Sequence, residues 1–352
     1  MKKEVDSIGV IGGGQLGMFI CQSAKKFNKI VSVFTEKKDC SAKKFANNLF
    51  VGDYTNFEKI DLFLESVDLV TVETENIPLK TLEYIEKKKK LIPNSNSIKI
   101  AQNREREKKF LNSIKDIRTT KFKKINSFES LHLALNSFGK EIIIKSCEFG
   151  YDGKGQHLVN EENINKFKKF HLKNFIAEKI VPYKKEISVI VFSDKFGNIK
   201  HYPPVENLHK KNILTKTSFP AKINKYTCEK AVVLARNIIK SLKMVGLLAV
   251  EMFLLDNNEI IINEIAPRPH NSGHWTIDCC NYNQFDNLVF CILGKKIEKP
   301  EIFKSCEMIN VIGKEYQKKN ILNKKFKFYD YYKNSIKPKR KMGHYIITKK
   351  LT

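Results

Sequence analysis

Arginine is scarce in this sequence, although the chain is strongly basic. The net charge is +26 over 352 residues, but nearly all of the basic residues are lysines and only six are arginines. The lysines are scattered through every segment and form no basic stripe interleaved with aromatic residues, which would indicate a nucleic-acid surface. A composition biased towards Lys, Asn and Ile explains the charge, so we expect no nucleic-acid partner. The positive potential would still attract anionic substrates.

The sequence also lacks the patterns of secreted, membrane-bound and zinc-binding proteins. Its eight cysteines form no Cys-x-x-Cys pair and no zinc-like spacing, so we expect reduced thiols and a cytoplasmic location. No apolar run approaches the roughly 20 residues that span a membrane. The apolar stretch after Ile8 is broken by glycines, which is not typical of a signal peptide. With 42% hydrophobic residues, a soluble protein of two or three domains is expected.

A glycine-rich segment follows the first predicted strand. The strand Ser7–Ile11 leads into Gly-Gly-Gly-Gln-Leu-Gly at 12–17, a predicted helix, and a second strand that ends before Glu36. This spacing matches the dinucleotide-binding fingerprint. The glycines alone indicate only that backbone N–H groups approach an anion closely at a helix N-terminus. A further strand, 69–72, places Glu73 at the edge of the sheet where ligands bind.

A second glycine-rich loop follows a strand that ends in a cation. The predicted strand 141–145 ends on Lys145, and the segment 149–156 (Phe-Gly-Tyr-Asp-Gly-Lys-Gly-Gln) has three glycines around Asp152 and Lys154. Backbone that wraps an anion beside two ammonium groups is suited to phosphate binding. The loop is not a Walker loop, because Gly-x-x-x-x-Gly-Lys-Ser/Thr is absent. A plain hairpin turn is the alternative.

The most informative stretch is a predicted β-hairpin between residues 248 and 264. Two apolar strands flank the turn-forming sequence Asp-Asn-Asn-Glu. If Asn257 and Asn258 form a two-residue loop, Glu251 lies directly opposite Glu264. Like charges in that position destabilise a sheet, so such a pair usually holds a divalent cation or shares a proton. A solvated hairpin edge is the alternative.

Three other segments bear on the site. A helical period over 100–111 places Arg104 on a highly charged helix, where a surface salt bridge is the common role of an arginine. The prolines in 202–209 predict a rigid loop, and the lysines in 337–341 predict a basic loop.

Taken in order, these motifs resemble the ATP-grasp superfamily, and more narrowly the 5-(carboxyamino)imidazole ribonucleotide synthases of purine biosynthesis. They cover nearly the whole chain and stand in the family's order. The matching segments are GGGQLG at 12–17, ETEN at 73–76, AQNREREKKFL at 101–111, FGYDGKGQ at 149–156, AEKIVPYKKEISV at 177–189, YPPVENLH at 202–209, VEMFLLDNNEIIINEIAPRPHNSGHWT at 250–276 and KRKMGH at 339–344. Two positions depart from the family pattern. Thr74 occupies a position where the family has an aromatic residue, and Lys339 occupies one where the family has a glycine.

The resemblance implies an α/β ATP-grasp fold that is α+β in its central domain. A Rossmann-like domain would span 1–98, an ATP-grasp domain 99–294 with a lid subdomain at about 120–182, and a small β-rich domain 295–352. The implied reaction is the carboxylation of 5-aminoimidazole ribonucleotide with ATP and bicarbonate through carboxyphosphate, giving ADP and phosphate. The implied cofactor is Mg²⁺, with Mn²⁺ as an alternative, ATP is the co-substrate, and the assembly is a homodimer.

Family resemblance also implies a role for each site residue. Glu251 and Glu264 would hold the cation. The implied nucleotide-binding residues are Arg104, Lys145, Gly150, Tyr151, Asp152, Gly153, Lys154, Gly155, Gln156, Glu178, Lys179, Ile180, Val181, Glu186, His209, Asn263 and Glu264. The implied ribonucleotide-binding residues are Gln15, Leu16, Glu73, Asn271, Ser272, Arg340 and Lys341. The implied catalytic residues are Tyr151, Asp152, Lys154, Arg268 and His270. Asp152 would orient or deprotonate the amine and Arg268 would stabilise carboxyphosphate, while His270 would transfer a proton or only donate a hydrogen bond.

Other functions remain as alternatives. A formate-dependent glycinamide ribonucleotide transformylase would share the hairpin and differ in the acceptor site. A nicotinamide-dependent oxidoreductase would leave the opposed glutamates and the second glycine loop unexplained. A non-catalytic nucleotide-binding protein would not need the full set of charged residues.

Overall fold

Three sheets organise the part of the chain that the computed structural model describes, which is residues 5–148, 155–318 and 326–351. The first sheet is parallel and contains β1 Ser7–Ile11, β2 Ile30–Thr35, β3 Asn48–Val51, β4 Leu69–Val72 and β5 Lys90–Ile92, in the order β3-β2-β1-β4-β5. Its helices are α1 Gln15–Lys26, α2 Phe57–Glu65 and α3 Leu79–Lys88. Because the strand order reverses between β1 and β4, a ligand crevice is expected at their carboxyl ends.

Two helices replace the single helix predicted over 100–111. They are α4 Ser95–Ala101 and α5 Arg104–Asn112. Asn103 separates them with an extended backbone, and its side chain accepts a hydrogen bond from the N–H of Arg106, which caps α5. The break makes Arg104 the first residue of α5, where its side chain is largely buried.

The second sheet is antiparallel and lies within the predicted lid. Its elements are β6 Phe122–Ile125, α6 Phe128–Phe138, β7 Glu141–Ser146, β8 Gln156–Asn160 and β9 Phe175–Lys179, with strands in the order β6-β9-β7-β8. Lys145 on β7 pairs with Gln156 on β8 and with Ile176 on β9. The predicted phosphate loop therefore connects two paired strands.

The third sheet joins the central and C-terminal parts of the chain. Its strands are β10 Lys185–Ser193, β11 Ile199–His201, β12 Val205–Lys210, β13 Ile213–Phe219, β14 Gly246–Leu254, β15 Ile260–Ala266, β16 Lys304–Ile312, β17 Lys327–Asp330 and β18 Lys341–Lys350. The order is β15-β14-β10-β12-β13-β16-β18-β17, with β11 paired to β10. The pairing of β13 with β16 makes the C-terminal strands a continuation of the central sheet. The predicted boundaries near 98 and 294 stay predictions.

Two predicted loops contain strand residues. Val205–Lys210 is β12, which pairs with β10 and β13, so the loop prediction over 202–209 is wrong beyond Pro204. The two prolines precede the strand and do not interrupt its hydrogen bonds. The predicted basic loop ends at Arg340, because Lys341 is the first residue of β18.

The predicted hairpin has a different turn but the predicted opposition. The N–H of Asn258 bonds to the carbonyl of Leu255, and Asn258 has a φ of 61°, so the loop has three residues rather than two. This shifts the register, and Met252 pairs with Ile262. A bulge at residue 263 then restores the predicted pair of Glu251 with Glu264.

Helices from distant segments cover the third sheet. They are α7 Lys225–Ser241, α8 Thr276–Cys279 and α9 Gln284–Ile292. On the face that carries α9, Phe19 of α1 stacks on Phe285, and Phe19 also meets Tyr331 and His344 edge-on or tilted. The N-terminal, central and C-terminal parts thus share one core. Among the described residues, no helix is both long and apolar enough to cross a membrane.

The backbone conformation at Lys339 favours the glycine that the family pattern has at this position. Its φ is 63°, a left-handed conformation that costs a residue with a Cβ about 1–2 kcal/mol and costs glycine almost nothing. We expect Lys339→Gly to raise the free energy of unfolding by up to about 1 kcal/mol, since glycine also loses more chain entropy on folding. Lys337→Gly, in the same segment and without a positive φ, should lower it. Urea unfolding checks both, and equal losses in the two variants would contradict the explanation.

Candidate active site

The first glycine loop encloses a carboxylate of the chain itself. The N–H groups of Gly14 and Gly17 donate to Glu73 at 2.8 and 3.0 Å. A Cβ built on Gly14 would lie 2.7 Å from Glu73 Oε1, and Gly12 has a φ of 105° beside the same side chain. The glycines therefore make room for Glu73, which is the anion expected at this helix N-terminus. Burial raises the pKa of Glu73, although the two N–H groups oppose the shift.

Arg268 forms an ion pair with the same segment. Its guanidinium makes a bidentate pair with Glu75, with Nη2 at 2.9 Å from Oε1. Burial would raise the pKa of Glu75, but Arg268 outweighs burial and lowers it. Glu75 was not predicted as a site residue, although it stands in the motif at 73–76.

Glu251 and Glu264 face each other on neighbouring strands, and each has a cationic or donor partner from elsewhere. His270 Nε2 lies 2.8 Å from Glu251 Oε1, and Arg104 Nη1 lies 2.8 Å from Glu264 Oε2. Burial opposes ionisation of Glu264, but Arg104 dominates and holds its pKa well below the usual range. Ser188 pairs with Glu251 on the other side. One row of polar side chains thus crosses three strands.

The residues beside this pair fit a divalent cation. Asn263 Oδ1 is buried and has no hydrogen-bond partner among the described residues. Hard cations such as Mg²⁺ prefer oxygen ligands, and Mg²⁺ on a nucleotide typically takes one or two carboxylates with the phosphates as its other ligands. Within the described ranges, no three His, Cys, Asp or Glu side chains form a metal cluster. Two carboxylates and one amide oxygen suit a cation that takes its other ligands from nucleotide phosphates.

A buried ion network lies next to Glu264. Glu178 accepts ion pairs from Lys108 at 3.1 Å and Lys145 at 2.8 Å, and its side chain is only 4% exposed. Burial would raise the pKa of Glu178, but the two lysines lower it to about 2. Lys108 was not predicted. The sequence carried a signal for it, because charged residues at 104, 107 and 108 share the buried helix face with Leu111.

Two of the predicted nucleotide-binding residues, Glu186 and His209, form a second hydrogen-bonded group. Glu186 accepts from Tyr183 at 2.5 Å and is paired with His209 Nδ1. Burial would lower the pKa of His209, but its hydrogen bond to Glu186 raises it. The same bond lowers the pKa of Glu186 against the effect of burial.

The loop after the hairpin contacts all three parts of the chain. The amide of Gln284 on α9 holds the backbone of His270 through two bonds of 2.9 and 2.8 Å. Asn271 accepts from Gln15 Nε2 at 3.3 Å, and Lys333 donates to Gln15 Oε1 at 3.0 Å. Gln284 and Lys333 were not predicted, and no local motif marks either of them.

Comparison with known proteins follows the same three parts. The Ribonucleotide synthetase preATP-grasp domain matches residues 5–102, the ATP-grasp domain 110–285, and the Phosphoribosylaminoimidazole carboxylase C-terminal domain 306–351. The N5-carboxyaminoimidazole ribonucleotide synthase of Bacillus subtilis (strain 168) is 36% identical over 342 residues, which are 96% of this chain and 90% of that protein. The chain belongs to the N5-carboxyaminoimidazole ribonucleotide synthase family.

Solved structures of family members superpose over nearly the whole chain. The N5-carboxyaminoimidazole synthetase from Staphylococcus aureus complexed with ADP has a TM-score of 0.93 at 33% identity and covers 98% of this chain and 93% of that one. The synthase from Aspergillus clavatus in complex with ADP and 5-aminoimidazole ribonucleotide has a TM-score of 0.90 at 29% identity, with 99% and 94% covered. The predicted ATP-grasp fold and ligase class are confirmed.

The remaining predicted residues differ in their burial and in their hydrogen-bond partners. Leu16 is buried in the core behind the glycine loop. Arg340 donates to the carbonyl and hydroxyl of Ser335, and Lys341 is buried at the start of β18. Half-exposed or exposed residues at the ends of β8 and β9 are Gly155, Gln156, Lys179, Ile180 and Val181. The predicted residues Gly150, Tyr151, Asp152, Gly153 and Lys154 lie outside the described residues.

The Glu178 network makes stability depend on pH. We expect Glu178→Gln to lower the free energy of unfolding at neutral pH by about 3–5 kcal/mol, because two buried lysines lose their partner. The pKa of Glu178 falls from 4.5 to about 2 on folding, so its contribution is full above about pH 4.5 and is lost as pH falls towards 2. The difference between wild type and variant, measured by urea unfolding, should therefore shrink with acidification.

Glu307→Gln provides the control. It removes a carboxylate from an exposed pair with Lys216, whose side chains are 44% and 37% exposed. Its effect should stay below about 1 kcal/mol at any pH. A Glu178→Gln variant as stable as Glu307→Gln would contradict the described network.

Proposed function

We propose that this chain carries out its family's reaction with bicarbonate as the carboxyl source and Mg²⁺ on the nucleotide. The ATP-dependent carboxylation of 5-aminoimidazole ribonucleotide to N5-carboxyaminoimidazole ribonucleotide, a step of purine biosynthesis, follows from family membership. The observation that carries the finer proposal is the pair of Glu251 and Glu264. Their partners, Arg104 and His270, come from different segments, helix α5 and the loop after the hairpin.

The nucleotide would lie between the second and third sheets. Lys145 and Arg104 supply positive charge for its phosphates, and phosphoryl transfer depends chiefly on such positioning and neutralisation. Glu186, whose pKa the hydrogen bond to His209 lowers, would accept hydrogen bonds from the ribose. The backbone of 178–181 would bind adenine, since Ile180 and Val181 follow the last residue of β9 and their N–H and C=O groups stand outside its ladders.

Glu251, Asn263 and Glu264 would hold Mg²⁺, or Mn²⁺ in its place. The cation would neutralise charge on the transferring phosphoryl group. Binding would replace the present ion pair of Glu264, leaving Arg104 available for phosphate oxygens. The unpartnered Asn263 Oδ1 supports this arrangement.

Arg268 would bind bicarbonate and then the carboxyphosphate anion. Two of its N–H groups bond to Glu75 and one to the carbonyl of Pro269. A guanidinium has five N–H donors, and these bonds to the described part of the chain leave two of them for an oxyanion. Glu75 fixes the guanidinium plane, which positions both remaining donors before the substrate binds.

The ribonucleotide would bind where Gln15, Asn271 and Lys333 meet. Lys333, Arg340 and Lys341 belong to one C-terminal segment, and positive charge there suits a 5′-phosphate. Tyr151, Asp152 and Lys154 would approach the reacting amine from the lid. Exclusion of water by that lid would protect carboxyphosphate from hydrolysis.

The first glycine loop does not favour the alternative of a nicotinamide-dependent oxidoreductase, because Glu73 fills the space that would receive a pyrophosphate. We also infer, from the family resemblance, a homodimer in the cytoplasm.

The identity of the reaction is tested by measuring ADP release with ATP and Mg²⁺, adding bicarbonate and 5-aminoimidazole ribonucleotide singly and together. We expect ADP release to be fastest with both, because each substrate completes one part of the site. Product is identified by mass spectrometry after rapid cold quenching. Absence of any stimulation by the ribonucleotide would contradict the assignment.

The cation site is tested with Glu264→Gln. The variant should lose activity by at least about a hundredfold, because the cation loses a charged ligand and Arg104 loses its partner. Calorimetry should show weaker binding of Mg²⁺·ADP. Glu259→Gln, at the turn of the same hairpin and paired with the exposed Arg118, is the control and should match wild type. Full activity of Glu264→Gln would refute the proposed cation site.

A further inference from the structure

A chain of buried hydrogen bonds runs through the third sheet to His270. We name Thr217, Asn207, Ser188 and Ser272 the polar relay; each is at most 7% exposed. The consecutive distances, ending at His270 Nδ1, are 2.9, 2.9, 2.8 and 2.8 Å. Buried polar side chains cost stability unless each is hydrogen-bonded. Four such side chains come from separate segments and form one continuous line of hydrogen bonds. This arrangement indicates a role for the line at its last member, His270.

The direction of each hydrogen bond follows from counting protons. The amide of Asn207 donates through Nδ2 to Ser188 Oγ. Among the described residues, Ser188 Oγ has one further partner, Ser272 Oγ, so its proton points there. By the same argument the proton of Ser272 Oγ points to His270 Nδ1. Every bond therefore runs towards the imidazole.

The backbone gives the same direction independently. The N–H of Ser272 lies 3.3 Å from His270 Nδ1 and donates to it. A ring nitrogen that accepts two hydrogen bonds carries no proton. The proton of the neutral ring is then on Nε2, which lies 2.8 Å from Glu251 Oε1.

We propose that the polar relay is a positioning device, which fixes His270 as its Nε2–H tautomer so that the imidazole holds Glu251 in place for the cation. Such outer partners orient carboxylates and imidazoles around metal ions in many enzymes. The inference selects the hydrogen-bonding role of His270 over proton transfer. This inference rests on the proposed function in one respect only, namely that Glu251 is a ligand of the cation.

Asn207→Asp tests the polar relay with little change in shape. An aspartate at this position accepts instead of donating, so Ser188 turns to it and Ser272 turns to Ser188. His270 Nδ1 would then keep only the Ser272 N–H at 3.3 Å. A neutral ring gains the shorter bond, at 2.8 Å, by carrying its proton on Nδ1 and donating it to Ser272 Oγ, and Nε2 then no longer donates to Glu251. Asn287→Asp is the matched control, because Asn287 is also buried and donates from Nδ2, but to Tyr202 outside the relay.

The first readout is the tautomer of His270 in protein labelled with [15N]histidine. Long-range proton–nitrogen correlation spectra at neutral pH distinguish the two tautomers, and the His270→Gln spectrum assigns the signal among the eight histidines. We expect the Nε2–H form in wild type and in Asn287→Asp, and its loss in Asn207→Asp. A wild-type signal from the Nδ1–H form or from imidazolium would overturn the proposal, even if Asn207→Asp does not fold.

The second readout is calorimetric affinity for ADP with and without Mn²⁺. Asn207→Asp should weaken Mn²⁺·ADP binding about tenfold or more and leave binding of metal-free ADP unchanged. Equal losses in Asn207→Asp and Asn287→Asp, or no loss in either, would overturn the relay while leaving the proposed function intact. Failure of wild type to bind Mn²⁺·ADP would contradict both.

Discussion

Two carboxylates forced together on neighbouring strands are the constraint on which the site depends. The side chains of Glu251 and Glu264 are 16% and 37% exposed, and two like charges held this close repel, so each carboxylate needs a partner. The structure compensates each with a different partner, His270 for Glu251 and Arg104 for Glu264. Because these partners belong to different segments, pairing the two carboxylates joins helix α5, the hairpin and the loop after it.

Other buried carboxylates of the candidate site are also paired with cations of the protein itself. Glu178 is balanced by two lysines and Glu75 by Arg268. Anionic ligands can take over some of these cations without bringing bare charge into a buried site. The first glycine loop belongs to this arrangement, since its N–H groups neutralise Glu73. Its spacing is that of a dinucleotide fingerprint, but the group it encloses is a side chain of this protein.

Sequence reasoning found the fold, and it named many of the residues that the structure brings together in the candidate site, because the motifs are local. It placed Glu251 opposite Glu264 through two errors that cancel, a turn one residue too short and an unforeseen bulge at Asn263. Lys108 could have been found from the helical period of its buried charges. Lys333 and the polar relay could not, because tertiary contacts between distant segments create them and no spacing along the chain records those contacts.

In the proposed reaction a bicarbonate oxygen passes to the γ-phosphate, and the carboxyl group then passes to the amine. The most direct test uses [18O]bicarbonate with ATP and 5-aminoimidazole ribonucleotide, followed by mass spectrometry of the released phosphate. Attack by bicarbonate forms a C–O–P bridge, and its later cleavage at carbon leaves the bridging oxygen on phosphorus. The account predicts one labelled oxygen in each phosphate. Unlabelled phosphate, released at the rate of product formation, would contradict it.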